Sequence, residues 1–344
     1  MEVKVWKLLG LIFIVIFALS AVCVVYASGV NATIAVGTSP VGIAYDSGRG
    51  EMFVANSGSG SVSVISDNTN AVVATVVVGK DPVSVAYDSG MGEVFVANYG
   101  SNTVSVISDS NNTVVATVNV GEAPLGLCYD SGRGEIFVAD SGSGLVSVIS
   151  DNNNTVVALV AVGGAPVSLA YDSGKGEVFV ANTGDNTVSV ISPSGNNTVV
   201  ATVATGKAPT GVAYDPGMGE VFVANYGSNT VSVISDSTNT VVATVNAGQD
   251  PVGAAYDSGK GAIFVTNEVS ANMVSVISDS FVTSSSPTPT ASPSPSPTAS
   301  PLPSPTVPEF STAALILVAV AVVIVTFCAV ALALKKSKND PNSL

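Results

Sequence analysis

The stretch EVFVANYGSNTVSVIS at residues 93–108 recurs without change at residues 220–235, and looser copies lie between and around these two. Self-similarity at a fixed period is typical of repeat architectures, in which each unit packs against equivalent neighbours. Tyr-Asp pairs mark the copies at spacings of 42, 42, 42, 43 and 42 residues: Tyr45-Asp46, Tyr87-Asp88, Tyr129-Asp130, Tyr171-Asp172, Tyr214-Asp215 and Tyr256-Asp257. The chain therefore contains six units of one kind.

Each unit holds four short apolar runs separated by clusters of Gly, Ser, Asn and Asp. In the second unit these runs are PVSVAYD (82–88), EVFVAN (93–98), TVSVIS (103–108) and TVVATVNV (113–120). Val, Ile, Phe and Thr dominate them, which predicts β-strands joined by tight turns. Four antiparallel strands in a unit of this length are typical of one blade of a β-propeller. The fold class predicted is all-β.

The first strand of the repeat region indicates how the ring would close. NATIAVG at residues 31–37 resembles the fourth strand of a unit, whereas the sixth unit ends after its third strand. We therefore predict a six-bladed β-propeller over residues 29–282, made of four-stranded antiparallel blades and closed by the N-terminal strand. Closure would remove two sheet edges that otherwise invite aggregation.

The two ends of the chain differ from the repeats. Lys4 and Lys7 precede an apolar run, which indicates a signal peptide over residues 1–28 or, because the run is long, a signal anchor. Residues 283–308 are rich in Pro, Ser and Thr, and this composition favours an extended stalk. Residues 309–338 contain the uncharged run 312–334, which predicts a transmembrane helix, and residues 339–344 would form a cytoplasmic tail. The repeats would then lie on the extracellular face of the cell membrane.

Composition argues against several kinds of chemistry. The chain has no histidine, which excludes Ser-His-Asp triads, histidine-bound metals and the commonest general base. We therefore expect no catalytic residues, no cofactor and no metal site, and predict that the protein is not an enzyme. Residues 31–282 include 22 acidic and 6 basic side chains, so nucleic acid is disfavoured as a partner. Cys128 is the one cysteine in this region, which excludes a disulfide within it.

Three recurring positions favour structural roles. The Asp of each Tyr-Asp pair could belong to a ring of calcium ligands, but the dense Asp spacing of a calcium loop is missing, so we favour a cap on the following turn. Cys128 stands where the other units have Ala, which indicates a buried small side chain. A Gly or Ser two residues after the Pro that opens each first strand indicates that this strand is innermost.

The loop after the second strand varies most between units and is the best candidate for a binding surface. Its equivalent positions are Ser57, Tyr99, Ser141, Thr183, Tyr226 and Glu268. Tyrosine is favoured at binding surfaces because it is amphipathic, although free drift of solvated turn residues would produce the same variation. N-glycosylation sequons occur at Asn31, Asn111, Asn153 and Asn196. The last three occupy the same turn of successive units, so glycans there would decorate one rim.

Two segments resemble known families. FVANYGSNTVSVI resembles the YVTN-type β-propeller repeat, whose Tyr-Val-Thr-Asn precedes a Gly and a Val-Ser-Val-Ile strand, and FVTN at residues 264–267 is the nearest copy. This resemblance covers all six units and implies a propeller of the kind common among archaeal cell-surface and surface-layer-like proteins. Members of that family are often described as seven-bladed, so a count of six departs from the pattern. Pro308, Glu309 and Phe310, ahead of the apolar run, resemble the archaeal PEF-type sorting signal, which implies replacement of the span by a lipid anchor.

Two functions remain open on these grounds. The leading hypothesis is a non-enzymatic cell-surface propeller that acts in envelope architecture, adhesion or the binding of proteins or glycans. Its partners would be surface proteins, glycans or copies of itself, and the cytoplasmic membrane through the C-terminal helix or a replacing lipid. The alternative is a lyase-like propeller enzyme, or a module that binds a small ligand or metal in the axial channel.

Overall fold

The structure, a computed structural model, describes residues 32–192, 196–268 and 273–278. These residues belong to the first of two compact units, residues 1–282 and 283–344. The predicted signal peptide, stalk, sorting signal and transmembrane helix lie outside the described residues, as does Asn31. Among the described residues, no helix is long and apolar enough to cross a membrane.

The described residues form 23 β-strands and two short 3-10 turns, Ser57–Ser59 and Tyr226–Ser228. The first two sheets consist of β1 Pro40–Asp46, β2 Glu51–Asn56, β3 Ser61–Ser66, β4 Ala71–Val77, β5 Pro82–Asp88, β6 Glu93–Asn98, β7 Thr103–Ser108 and β8 Thr113–Asn119. The next two consist of β9 Pro124–Asp130, β10 Glu135–Asp140, β11 Leu145–Ser150, β12 Thr155–Ala161, β13 Pro166–Asp172, β14 Glu177–Asn182, β15 Thr187–Ser192 and β16 Thr198–Ala204. The last two consist of β17 Pro209–Asp215, β18 Glu220–Asn225, β19 Thr230–Ser235, β20 Thr240–Asn246, β21 Pro251–Asp257, β22 Ala262–Asn267 and β23 Met273–Ser278.

Six antiparallel sheets follow one another in chain order. Each of the first five pairs its four strands in sequence, as in β5-β6-β7-β8, and the sixth has the three strands β21-β22-β23. The predicted all-β class and the division into units of four strands are therefore confirmed. Short Gly- and Asn-rich turns produce this meander because they connect strands that are neighbours in both sequence and space.

The core lies between successive sheets. One phenylalanine from the second strand of each of the first five sheets is fully buried: Phe53, Phe95, Phe137, Phe179 and Phe222. Phe137, together with Val146 and Val148, packs against Leu169 and Val178 of the next sheet. The second and third strands are apolar on both faces because each of the four inner sheets lies between two others, which explains why they read as continuous apolar runs.

The first strands of successive sheets pack directly on one another, from β1 on β5 to β17 on β21. A Cβ atom at Gly126 would lie 2.7 Å from the carbonyl oxygen of Val167 on the neighbouring first strand. Only a residue without a side chain permits that approach, which agrees with the predicted innermost position of this strand.

The aspartate of each Tyr-Asp pair caps the following turn, as we expected. Asp88 Oδ1 accepts hydrogen bonds from the backbone amides of Gly90 at 2.7 Å and Met91 at 3.2 Å. Equivalent bonds from the glycine two residues on reach Asp46, Asp130, Asp172, Asp215 and Asp257. These carboxylates therefore hold the turn between the first and second strands of every sheet.

The sixth sheet is not joined to the first within the described residues. Residues 32–36, predicted to close the ring as a strand, form no strand, and the sixth sheet lacks a fourth one. The packing between first strands is not repeated between β21 and β1. Closure of the ring therefore stays a prediction.

We predict that Phe137→Ala lowers the free energy of unfolding by about 3–5 kcal/mol, because the cavity it leaves is enclosed by two sheets. Urea unfolding followed by circular dichroism measures the change. Val157→Ala, on the outward face of β12, is the matched control and should cost less than about 1 kcal/mol. Equal losses for the two variants would contradict the position of the core.

Candidate functional site

The two ends of the sheets carry different parts of the repeat. We call one end the loop end, because it carries the loops between second and third strands and the linkers that enter each first strand. The other end, the turn end, carries the turns between first and second and between third and fourth strands. Antiparallel pairing within every sheet places these two sets of connections at opposite ends.

All six candidate binding residues lie at the loop end and make the same backbone contact. Each donates its amide to the carbonyl of the linker residue that precedes a first strand. For Tyr99 this acceptor is Asp81 at 2.9 Å, and for Glu268 it is Asp250 at 3.0 Å. The equivalent bonds of the other four positions are Ser57 to Ser39, Ser141 to Ala123, Thr183 to Ala165 and Tyr226 to Ala208. The backbone of the loop is therefore constant while its side chain varies.

The linker residue itself adopts a strained backbone, which the sequence analysis missed. Ala123, Ala165 and Ala208 have φ of 53°, 50° and 49°, in the left-handed region that residues with a Cβ atom rarely adopt. The bond from the loop amide accompanies this conformation in every unit. The sequence does not reveal this positive φ, because three units have alanine at the position instead of the Gly, Asn or Asp that adopt such a conformation more readily.

The side chains at the candidate positions have different environments. Tyr99 is 45% exposed. Tyr226 is less exposed, and the charges of Asp250 and Glu268 raise the pKa of its phenol. Thr183 donates its hydroxyl to the carbonyl of Pro209 in the next sheet at 2.6 Å. The structure thus brings Tyr226 and Glu268 into one electrostatic environment, while Thr183 stabilises a junction between sheets.

The described sequons lie at the turn end, opposite the candidate loops. Asn111, Asn153 and Asn196 are exposed. The hydroxyl of Thr113 donates to Asn111 Oδ1 at 2.7 Å, and Thr155 makes the same bond to Asn153. Glycans at these positions would leave the loop end uncovered.

Asp140 is a titratable residue that the sequence analysis missed. It stands where five units have Asn, so FVAD in place of FVAN was the available signal. Ser147 Oγ donates to Asp140 Oδ2 at 2.6 Å, whereas Oδ1 is buried without a hydrogen-bond partner. Burial raises the pKa of Asp140 to about 6. The side chain is fully enclosed, so it acts on stability and has no path to a substrate.

Metal binding and thiol chemistry are two further candidate chemistries of the described part of the chain. It contains no group of three or more Cys, Asp or Glu side chains placed to hold a metal ion. Cys128 is a free thiol packed against the core between the third and fourth sheets, and burial raises its pKa. A thiol that is protonated at neutral pH is a poor nucleophile.

Comparison with known proteins identifies the architecture. A family model described as a YNCE-like beta-propeller matches residues 153–279. The chain is a β-propeller. No curated protein matches it.

Two solved structures are similar to the propeller. A functionally unknown protein from Desulfotomaculum acetoxidans has a TM-score of 0.57 at 16% identity, with 65% of this chain and 78% of that chain covered. Hydrazine synthase from Kuenenia stuttgartiensis has a TM-score of 0.49 at 16% identity, covering 74% of this chain and 99% of that one. At such low identity the likeness to the Desulfotomaculum acetoxidans protein concerns the fold alone.

We predict that Asp140→Asn raises the free energy of unfolding by about 1–3 kcal/mol at pH 7. The folded-state pKa near 6 lies above the unfolded value of about 3.9, so ionisation destabilises the fold progressively as pH rises through this window. Urea unfolding between pH 4 and pH 8 should show that the difference in unfolding free energy between Asp140→Asn and wild type becomes smaller towards pH 4.

The reciprocal change, Asn98→Asp, provides the matched control. Asn98 Nδ2 donates to Ser105 Oγ at 3.0 Å, the counterpart of the Asp140–Ser147 contact. This variant should lose stability at pH 7 and acquire the same pH dependence. A gain for Asp140→Asn that does not change with pH would contradict the role of ionisation.

Proposed function

We propose that this β-propeller is a non-enzymatic cell-surface protein whose loop end binds surface proteins or glycans, in envelope architecture or adhesion. The observation that carries the proposal is the constant backbone and variable side chain at the six loop positions. A rigid scaffold that presents different side chains at equivalent points is a general arrangement for recognition surfaces.

The chemistry of the loop end supports a polar, aromatic-containing binding surface. Tyr99 offers an exposed amphipathic ring, and Tyr226 lies in the field of Asp250 and Glu268. Tyrosine next to carboxylates suits partners that present hydroxyl groups or cationic side chains, because the ring stacks and the carboxylates accept hydrogen bonds. A sugar or a basic protein loop has this chemistry.

The sequence of the chain ends supports a location at the extracellular face of the membrane. The apolar N-terminal run, the Pro-rich segment and the uncharged run ahead of three lysines fit an exported head on a stalk. Glycans at the turn end and a binding surface at the loop end would then act without mutual obstruction.

A pull-down from cell envelopes tests the proposal. Full-length protein should capture defined envelope proteins or glycans. Tyr99→Ser combined with Tyr226→Ser should reduce capture at least tenfold, since two aromatic side chains that become buried on binding each contribute about 1–2 kcal/mol or more.

Met91→Ser combined with Met218→Ser is the matched control. These methionines are also exposed and lie in the same two sheets, but at the turn end. Capture should persist in this variant. If wild type retains nothing specific, or if both double variants lose capture equally, the loop end is not the binding surface.

A further inference from the structure

At the turn end, the contact between the second and third sheets brings two carboxyl groups together. Asp88 ends β5 in the second sheet, and Asp151 directly follows β11 in the third. Asp88 is fully buried and Asp151 is 7% exposed. Their carboxyl groups are close enough to share a hydrogen bond, and burial together with the charge of Asp88 raises the pKa of Asp151. Two carboxylates this close and this enclosed repel each other unless a positive group lies beside them.

The turn that Asp88 caps uses only one of its two carboxylate oxygens. Oδ1 accepts the two turn amides, whereas Oδ2 is buried without a hydrogen-bond partner. Leaving a buried charged oxygen unpaired is costly. The capping role therefore leaves one oxygen of this aspartate available for a ligand.

The hydroxyl of Tyr129 lies at the same junction. It is 2.9 Å from the point where a Cβ atom of Gly90 would stand. Burial together with the neighbouring Asp88 and Asp151 raises the pKa of this phenol, so the hydroxyl keeps its proton at neutral pH. One proton can serve only one of the two carboxylates. The phenol therefore does not neutralise the pair, and its oxygen is a further neutral donor.

Two equivalent junctions carry a positive side chain at this point. Arg49 of the first sheet lies near Asp109 of the second and lowers its pKa, although burial keeps that pKa raised overall. In the fourth sheet, Lys175 Nζ donates to the backbone carbonyl of Asp236 in the fifth. Met91 occupies the corresponding position of the second sheet. The turn beside Asp88 thus lacks the cation that the other two junctions have.

The remaining junctions do not combine the same groups among the described residues. The fourth sheet has Pro193 in place of the second aspartate. The fifth sheet has Met218 at the position of Met91, but Asp279, which would complete the pair there, lies outside the described residues.

Further negative charge surrounds the pair. Glu93, at the start of β6, has a pKa that burial and then Asp88 and Asp151 raise. Asn154 Nδ2 opposes this shift by donating to Glu93 Oε2 at 3.2 Å. The excess of acidic over basic side chains in residues 31–282 adds to the same potential. A concentrated negative potential raises the local concentration of cations.

We propose that the second and third sheets bind a calcium ion between Asp88 and Asp151. The ion takes the place that a side-chain cation fills in the first and fourth sheets. Every group at the junction offers oxygen, which this hard cation prefers, and calcium takes about six to eight oxygen ligands. The two carboxylates and the Tyr129 hydroxyl supply part of this set, and water completes it. The bound ion links two neighbouring sheets, and this inference does not depend on what the loop end binds.

Equilibrium dialysis of the full-length protein in mild detergent against Ca²⁺ tests the proposal. Wild type should bind calcium with a dissociation constant of about 0.1–1 mM, since two carboxylates give a weak site. Its midpoint of thermal unfolding should rise over the same concentration range, because the ion binds the folded state. Asp151→Asn should bind one ion fewer per chain, since it removes one of the two charges.

Met91→Lys tests the site with both carboxylates intact. The methionine is 52% exposed, so the substitution does not disturb the core. The new ammonium group should displace the ion, so this variant should also bind one ion fewer per chain. It should unfold at a higher temperature than wild type in calcium-free buffer, because the pair is then neutralised from within the chain.

The matched control is Asp236→Asn. Asp236 follows the third strand of the fifth sheet as Asp151 does in the third, but Lys175 already lies beside it. This variant should bind as many calcium ions as wild type.

Three results would overturn the proposal. The first is a wild-type protein that binds no calcium at millimolar concentration, as a carboxyl pair that shares a proton would. The second is an unchanged number of bound ions in Asp151→Asn or Met91→Lys. The third is an Asp236→Asn variant that also loses one ion, which would indicate a general effect of acidic surface charge.

Discussion

The packing of one apolar sheet face against the next is the interaction on which the structure depends. Phe137, Val146 and Val148 are buried against Leu169 and Val178 of the fourth sheet. A sheet with two apolar faces is soluble only between two neighbours, so each unit requires the next. This requirement explains why the chain repeats its second and third strands so closely.

Polar groups at the sheet ends hold this packing in register. The Tyr-Asp aspartates bond the backbone amides of the turn end, and the loop amides bond the linker carbonyls at the other end. Because these bonds use backbone atoms, the side chains of the loop end are free to differ. Side chains such as those of Tyr99 and Tyr226 can therefore change with little cost to the scaffold.

Much of the architecture was predictable because its signals are local. The strand runs, the turn clusters and the aspartate cap of YDSG each lie within a few residues. The structure agrees with them except at residues 32–36, which form no strand. The positive φ of Ala123 was not predictable, because it accompanies a bond from Ser141 in the loop after β10. The pKa of Asp140 likewise depends on enclosure by neighbouring strands, which a single letter change in FVAN does not reveal.

The amino-acid sequence by itself determined the number of units, their four-stranded design and the residue types at every turn, because these follow from period, apolar pattern and turn chemistry. It also determined which end segments differ from the repeats. Only the tertiary structure decided that the glycosylation sequons and the variable loops lie at opposite ends, since this depends on strand direction within each sheet. It alone showed that the first strands of the first and sixth sheets do not pack together within the described residues, because the meeting of two distant sheets depends on the curvature accumulated over five junctions and on no local signal.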